Sequence, residues 1–233
     1  MEIIIFAAGY GSRLGRNIPK ILVQVGNKSL LEHQLSAIGS VFPDCPVRII
    51  SGFQHDLLAE FVGKLNWKLN PVTVHFNPFF ETGIISTAWE SQFAAKDSDI
   101  LRMDGDVFIS AKSLMALKNV KTSTLLLTSV YHSKKTAVAK IQENGKFNGI
   151  EITDNYQGNN EWVCIERYIN DEYRKIITET ISSVTLKSYF FEMVNAKLSE
   201  FDFETKYVHN VFEIDTEEDL EVCENYLRSK NDQ

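Results

Sequence analysis

Very little in this 233-residue sequence could brace a fold by covalent or metal cross-links. Its three cysteines, Cys45, Cys164 and Cys223, lie far apart with no C-x-x-C pair. That excludes a disulfide framework and gives no zinc site, and it suits a reducing compartment. A basic excess is missing too: 24 Lys+Arg face 31 Asp+Glu, a net charge of −7. Nucleic acid as the main partner is thereby disfavoured, because a phosphate backbone needs a broad basic face. A small anionic ligand remains compatible, since one pocket can be basic on an acidic protein. Long apolar runs are absent. Ile3-Ile4-Ile5-Phe6 has no basic segment ahead of it and is too short for a signal peptide or a membrane span. It reads as a strand, and the protein as cytoplasmic with no membrane partner. There is no internal repeat, low-complexity tract or Pro/Gly/Ser linker, and the five histidines are scattered without a catalytic pattern. What is present, 44% hydrophobic and 11% aromatic residues, suffices for one sizeable core.

The periodicities alternate. Ile3–Ala8, Val47–Ser51, Val72–Phe76 and Ile100–Met103 read as strands. A helix behind a Ser29/Glu32 capping box carries Leu31, Leu35 and Ile38; further helices are expected over Gln54–Lys64 and Ile84–Ala95. Alternating strand and helix predicts a doubly wound α/β sheet. The pattern then changes to strands over Leu125–Val130, Ala137–Gln142 and Phe147–Ile152, with Asn144-Gly145 as a turn, followed by helices over Ile169–Ile181 and Tyr189–Leu198. A last helix starts near Asp215 and aligns Leu220, Cys223 and Leu227 on one face.

Two features lie at the carboxyl ends of strands, where open α/β sheets bind ligands. The first strand runs into Ala7-Ala8-Gly9-Tyr10-Gly11-Ser12-Arg13-Leu14-Gly15, and Pro19-Lys20 follows. Small residues let backbone N–H groups approach a base or phosphate; Arg13 can fork onto phosphate oxygens and Lys20 can place a point charge there. This is not a Walker A loop, which ends in Gly-Lys-Ser/Thr. Nor is it the dinucleotide G-x-G-x-x-G, because Leu14 stands where the third glycine belongs. The competing reading is a glycine loop with solvated charges. The second feature is Met103-Asp104-Gly105-Asp106-Val107, whose carboxylates are hard oxygen ligands suited to Mg²⁺ shared with substrate phosphates. Asp and Gly also simply form turns.

The string AAGxGxRxG followed by Pro-Lys resembles the signature of the sugar-phosphate and alcohol-phosphate nucleotidyltransferases. Val23-Gln24-Val25, Ser51-Gly52-Phe53, Asn77 before an aromatic pair, and Phe212-Glu213-Ile214-Asp215 make the chain look most similar to the compact bacterial choline-phosphate cytidylyltransferases. The resemblance implies a three-layer α/β/α fold with a mixed, mostly parallel sheet of Rossmann-like kind and a small acceptor-binding lobe. The whole chain would be one domain: 1–120 binding nucleotide, 121–205 forming the acceptor lobe, and 206–233 closing the fold. It implies catalytic roles for Arg13 and Lys20, and a nucleotide site of Ala7, Ala8, Gly9, Gly11, Ser12, Arg13, Lys20, Gly52, Gln54 and Asp104. Asp106 and Asp215 would hold Mg²⁺, although Asp215-Thr216-Glu217-Glu218 also reads as a helix N-cap with its capping-box glutamate.

The implied reaction transfers NMP from an NTP, with CTP favoured, to a small phosphorylated acceptor such as phosphocholine, and releases pyrophosphate. Asn77, Trp89 and Trp162 are the acceptor-binding candidates; Phe79, Phe80 and Tyr168 are further aromatics, and all of these also read as packing residues. Three departures bear on this. The Arg13–Pro19 loop is short; Gly149-Ile150-Glu151-Ile152-Thr153 stands where sugar-phosphate relatives carry Glu-Lys-Pro; and the aromatic set that encloses choline has no residue-for-residue match. A sugar-1-phosphate nucleotidyltransferase, a glycosyltransferase using Asp104-Gly105-Asp106 as D-x-D, and a non-catalytic nucleotide-binding module are the alternatives. The oligomeric state is left open, a homodimer included.

Overall fold

The computed structural model describes residues 1–93, 98–129, 135–154 and 158–231. The elements in chain order are β1 (Glu2–Ala7), β2 (Gln24–Val25), β3 (Lys28–Ser29), α1 (Leu30–Val41), β4 (Val47–Ser51), α2 (His55–Lys64) and β5 (Val72–Phe76). Then come α3 (Ile84–Ser91), β6 (Ile100–Asp104), β7 (Val107–Ile109), α4 (Ala111–Leu114), β8 (Ser123–Thr128), β9 (Lys135–Ile141), β10 (Phe147–Asp154) and β11 (Glu161–Tyr168). The chain ends with α5 (Glu172–Thr180), α6 (Phe190–Asn195), β12 (Phe203–Val208), β13 (Val211–Glu213) and α7 (Glu217–Asn231). Among the described residues, no helix is long and apolar enough to cross a membrane.

The expected doubly wound sheet is present. β5, β4, β1 and β6 lie side by side and parallel, with β1 between β4 and β6. The chain leaves β1 toward β4 on one side and later returns to β6 on the other, so a crevice opens where the carboxyl ends of β1 and β6 diverge. From Ile3 to Ala7, β1 is apolar because both faces are covered. Ile3 and Ile5 enter one core with Leu31, Leu35 and Ile38 of α1, while Ile4 and Phe6 enter the opposite core with Ile85, Ile176 and Phe190. Each fully buried isoleucine contributes about 1.5–3 kcal/mol. The Ser29/Glu32 capping box forms as expected: the Glu32 amide donates to Ser29 Oγ and the Ser29 amide to Glu32 Oε2. The Asn144-Gly145 turn also forms, closed by Gly145 N–H on the Gln142 carbonyl at 2.8 Å.

Beyond β6 the sheet turns antiparallel. β11 pairs with β6 on one side and β8 on the other, β12 adds parallel to β8, and the β9–β10 hairpin branches from Glu161. β11 and β12 are not anticipated by the sequence pattern. Glu161, Glu166 and Arg167 break the apolar run of β11, yet Glu161 and Glu166 are buried and the two terminal nitrogens of Arg167 donate to Asp99 and to the Leu117 and Lys118 carbonyls. Several helices are shorter than expected. α3 ends at Ser91, and positions 94–95 of the expected helix, like Val130 of the expected strand, lie outside the described residues. α5 starts three residues late because Asn170 takes φ 54°, its amide donating to Asp99 Oδ1.

Candidate active site

Three loops meet at the β1/β6 crevice. The first is the glycine loop. Gly11 adopts φ 62°, and a Cβ there would lie 2.5 Å from Lys20 Cγ, so only glycine lets the lysine stem pass. One 3₁₀ turn, Ser12–Leu14, then points Arg13 outward, and the chain returns so that Lys20 reaches back under the loop. Arg16 forks onto Glu217 with two 2.8 Å hydrogen bonds and ties this loop to the start of α7.

The second loop is the Asp104–Val107 turn. Gly105 N–H donates to the Phe6 carbonyl at 2.8 Å, which presses the turn against the end of β1. From the other side, the buried Gln34 amide of α1 donates to the carbonyls of Asp104 (2.9 Å) and Val107 (2.7 Å).

The third is the stretch after β13. β13 runs antiparallel to β7 outside the main sheet, and Ile214 N–H donates to the Asp106 carbonyl at 2.8 Å, which brings the two distant acidic segments together. Glu213 and Asp215, two apart on an extended chain, point the same way. With Asp106 they form a group whose carboxylate oxygens lie within 4.8 Å of one another.

The cap reading for Asp215 is not what the structure shows: its side chain does not cap α7. Thr216 caps α7, its Oγ1 accepting from the Asp219 amide, while Asp219 Oδ2 accepts from the Asp215 and Thr216 amides. The capping partner is therefore Asp219, not Glu218. The Asp215 side chain instead meets Arg13 at 2.5 Å and Lys20 at close range; Lys20 also donates to Asp106 Oδ2 at 3.1 Å. Burial alone would lower the Lys20 pKa, but the two aspartates outweigh it and hold it above its ordinary value. Glu213 is pushed well above the carboxylate range by burial and then by Asp106 and Asp215. Three crowded carboxylates that repel one another in this way are a fitting donor set for a hard divalent cation such as Mg²⁺.

The cleft has two chambers. One, of about 250 Å³, is lined by Ala7, Gly9, Gly11, Ser12, Arg13, Lys20 and Asp106 among others. The second, of about 220 Å³, is lined by Ala8, Gly9, Phe80, Gly83, Ile84, Thr87, Asp104 and Asp106 together with Phe6. Phe6, Gly9 and Asp106 belong to both. Gly52 and Gln54 border a third, shallower hollow with Phe76 and Phe80, where Gln54 donates to the Asn17 carbonyl. Thus Ala7, Ala8, Gly9, Gly11, Ser12, Arg13, Lys20, Asp104, Asp106 and Asp215 converge, and Gly52 and Gln54 lie next to them.

The acceptor candidates do not converge, which is a correction. Asn77 is fully buried, and its amide is spent on Ser86, Thr87 and the Phe79 backbone; it shapes the turn that carries Phe80. Trp162 is buried against Phe191 and the Arg102 guanidinium. Trp89 sits on the face of α3 away from Ile84 and Thr87, edge-on to Phe93. Of the other aromatics, Phe80 lines the second chamber, Phe79 is exposed, and Tyr168 is core. Several site residues escaped sequence reasoning. Glu213 had a usable signal, its i, i+2 relation to Asp215. Gln34, Arg102 and Glu166 gave none, because a polar residue inside a helix or strand reads as solvent-facing. Arg102 in fact has no exposure; it is paired with Asp104 and Glu166, and its guanidinium lies 4.6 Å from the ring centroids of both Phe6 and Phe190. Burial, only partly offset by Arg102, raises Asp104 to about 6 and Glu166 to about 7.

Solved structures share this fold across nearly the whole chain. The chain is similar to CTP:phosphocholine cytidylyltransferase (LicC) from Streptococcus pneumoniae, with 20% identity, TM-score 0.72, and 97% of this chain and 98% of that one covered. It is similar to a protein from Bacillus anthracis provisionally named a glucose-1-phosphate thymidylyltransferase, with 19% identity, TM-score 0.79, and coverage of 98% and 95%. A third is the inositol-1-phosphate CTP transferase of T. maritima, with 15% identity, TM-score 0.72, and coverage of 96% and 95%. At these identities the likeness is one of fold. The family follows from sequence: residues 3–139, more than half of the chain and including the glycine loop and both aspartates of the Asp104–Asp106 turn, match the MobA-like NTP transferase domain, and the chain belongs to that family.

Proposed function

We propose that this nucleotidyltransferase moves the NMP part of an NTP, CTP in preference, onto a small phosphorylated alcohol such as phosphocholine and releases pyrophosphate. The observation that carries the reading is the convergence of Arg13 and Lys20 with Asp106, Glu213 and Asp215 at the β1/β6 crevice. In this reading the first chamber takes the triphosphate. Backbone at Gly9, Gly11 and Ser12 approaches the phosphates, and Arg13 and Lys20 neutralise the departing pyrophosphate. The second chamber takes the acceptor, whose phosphate points toward Asp106, the wall common to both. Asp106, Glu213 and Asp215 would hold Mg²⁺, which, when bound, supplies charge neutralisation between the α-phosphate and the incoming phosphate. The attacking oxygen belongs to a phosphate that is already anionic, so the protein needs no general base. Its task is to align two anions in line and to screen their repulsion.

The choice of a small phospho-alcohol rests on the sequence, where Gly149-Ile150-Glu151-Ile152-Thr153 stands in place of the Glu-Lys-Pro of sugar-phosphate relatives. The CTP preference rests on the sequence resemblance. The test is a pyrophosphate-release screen crossing the four common NTPs with phosphocholine, phosphoethanolamine, glycerol 3-phosphate and sugar 1-phosphates. Release with CTP and a phospho-alcohol is expected. Release only with a sugar 1-phosphate moves the chain to the sugar branch, nucleotide binding without release makes it a non-catalytic module, and glycosyl transfer from a nucleotide sugar makes it a glycosyltransferase.

A further inference from the structure

Helix α1 buries one residue that its packing does not call for. Leu31, Leu35, Ile38 and Val41 are the apolar face it lays against the sheet, and Gln34 sits among them with no exposure. A buried carboxamide forgoes its hydrogen bonds to water, a cost that methionine, of similar length, does not carry. The amide is moreover used on one side only. Its nitrogen donates twice, to the Asp104 carbonyl at 2.9 Å and to the Val107 carbonyl at 2.7 Å. Its oxygen is buried and has no hydrogen-bond partner among the described residues. An unpaired buried acceptor is unfavourable, and what offsets it at this position is the pair of donor bonds. That pair sits at a junction. Asp104 ends β6 and Val107 begins β7, so a single nitrogen ties together the two ends of the turn that carries Asp106. Val107 also pairs with Glu213 in the β7–β13 ladder, and Ile214 N–H holds the Asp106 carbonyl. The start of β7 therefore sets how far Asp106 stands from Glu213 and Asp215. Gln34 itself lines neither chamber and is not a member of the acidic group.

We propose that Gln34 is a positioning residue for the divalent-cation site: by tying the Asp104–Val107 turn together, it fixes the spacing of Asp106 from Glu213 and Asp215. The inference rests on the reading of these three carboxylates as the cation site and adds to it a residue that does not touch the cation. The physical reason is preorganisation. Carboxylates whose oxygens lie within 4.8 Å of one another repel, and Lys20 offsets only part of that repulsion. A turn free to move would relax Asp106 away from the other two in the metal-free protein. Binding a cation would then have to draw the three together again, and the affinity would fall by that cost. With Gln34 in place the turn stays put, and the repulsion is kept for the cation to relieve.

The experiment titrates the nucleotide-free protein with Mn²⁺, followed by electron paramagnetic resonance, and records Tm alongside. It compares the wild type with Gln34→Met, Val41→Ala and Asp106→Asn. Gln34→Met keeps the length of the side chain and removes both donors. It is expected to weaken Mn²⁺ binding about tenfold or more, the loss usual when a group that orients a metal ligand is removed. Val41, about two turns farther along α1 and 1% exposed, packs in the same core with no polar atom in its side chain. Val41→Ala is expected to lower Tm and to leave the Mn²⁺ affinity at its wild-type value. Turnover of Gln34→Met with CTP should fall at limiting Mg²⁺ and recover as Mg²⁺ is raised, which a loss of packing would not do. A Gln34→Met protein with wild-type Mn²⁺ affinity overturns the inference while the cation site stands. So does an equal weakening in Gln34→Met and Val41→Ala that tracks Tm, which makes Gln34 a packing residue. If Gln34→Met does not fold, Gln34→Glu decides: burial keeps its carboxyl neutral, with one donor in place of two, and wild-type affinity in that variant overturns the inference. Wild-type Mn²⁺ binding by Asp106→Asn puts the cation elsewhere and defeats the reading of the site and the inference together.

Discussion

Replacing Lys20 by methionine should make the protein a far poorer catalyst but a better binder of free metal. Lys20 lies across the acidic group, 3.1 Å from Asp106 and closer to Asp215, and is 15% exposed. A unit-charge pair at about 4 Å and an effective dielectric near 20 is worth about 4 kcal/mol before desolvation is subtracted. The ammonium therefore holds much of the attraction that a divalent cation would otherwise find there. Methionine keeps the length and apolar stem and removes the charge. Among the described residues, the cation left beside this acidic group is then Arg13, which is paired with Asp215 and whose side chain is 66% exposed. Without metal the variant should lose about 3 kcal/mol of stability, the lower end for breaking a largely buried pair, and added Mg²⁺ should restore more stability to it than to the wild type. Mn²⁺ titration followed by electron paramagnetic resonance, without nucleotide, should show about tenfold tighter binding, or about 1.4 kcal/mol. Turnover with CTP should fall by about 10²–10³, the usual loss when one donor to developing transition-state charge is removed. Weaker Mn²⁺ binding in the variant would refute the competition argument, and a wild-type kcat/KM would refute the placement of Lys20 on the triphosphate.

Asp106→Asn should abolish detectable turnover while Tm stays within a few degrees of wild type, because the turn is held by the Gly105–Phe6, Gln34 and Ile214 backbone contacts rather than by this carboxylate; a variant that retains a tenth of the activity contradicts the metal assignment. Gly11→Ala should lower kcat/KM for CTP by tenfold or more, since φ 62° and the Lys20 stem both oppose a Cβ, and steady-state kinetics with an unchanged KM and kcat would show that the loop tolerates it. Asp99→Asn probes pH. Burial would raise the Asp99 pKa, but hydrogen bonds from Arg167 and the Asn170 amide hold it below its ordinary value. A depressed folded pKa adds stability above the unfolded value of about 3.9 that is lost as pH falls through the folded one. Denaturant melts should therefore show the variant about 1 kcal/mol less stable at pH 7, after discounting for solvent screening, with the gap closing below about pH 4; a gap independent of pH would assign the effect to packing.

The legible parts of this protein were those in which one local signal carries the meaning. β1 could be read because a strand covered on both faces is apolar along its buried length, here Ile3 to Ala7, and α1 because a capping box precedes an apolar stripe. The glycine loop could be read because a run of small residues beside Arg13 and Lys20 at the end of a strand is a local pattern. The second half was harder. β11 carries Glu161, Glu166 and Arg167, and the alternation that marks a half-exposed strand is lost when Glu166 is buried against Arg102, Arg167 is paired with Asp99 and Glu161 accepts from the Thr136 hydroxyl. Asn77, Trp89 and Trp162 drew notice as polar or aromatic side chains, and the fold spends them on a turn, a surface pair and a core wall.

By itself the sequence determined the sheet's parallel half and the glycine loop that ends its first strand, because these depend on neighbours along the chain, and its resemblance to a known family pointed to Asp106 and Asp215. Only the tertiary structure decided that Glu213 joins them, that Thr216 rather than Asp215 caps α7, and that Arg102 stands behind Asp104. Those are relations between segments far apart in sequence. They follow from β13 pairing with β7, and from β6 lying between β1 and β11. A side chain's charge is local information, but what it faces is set by which strands pack beside it.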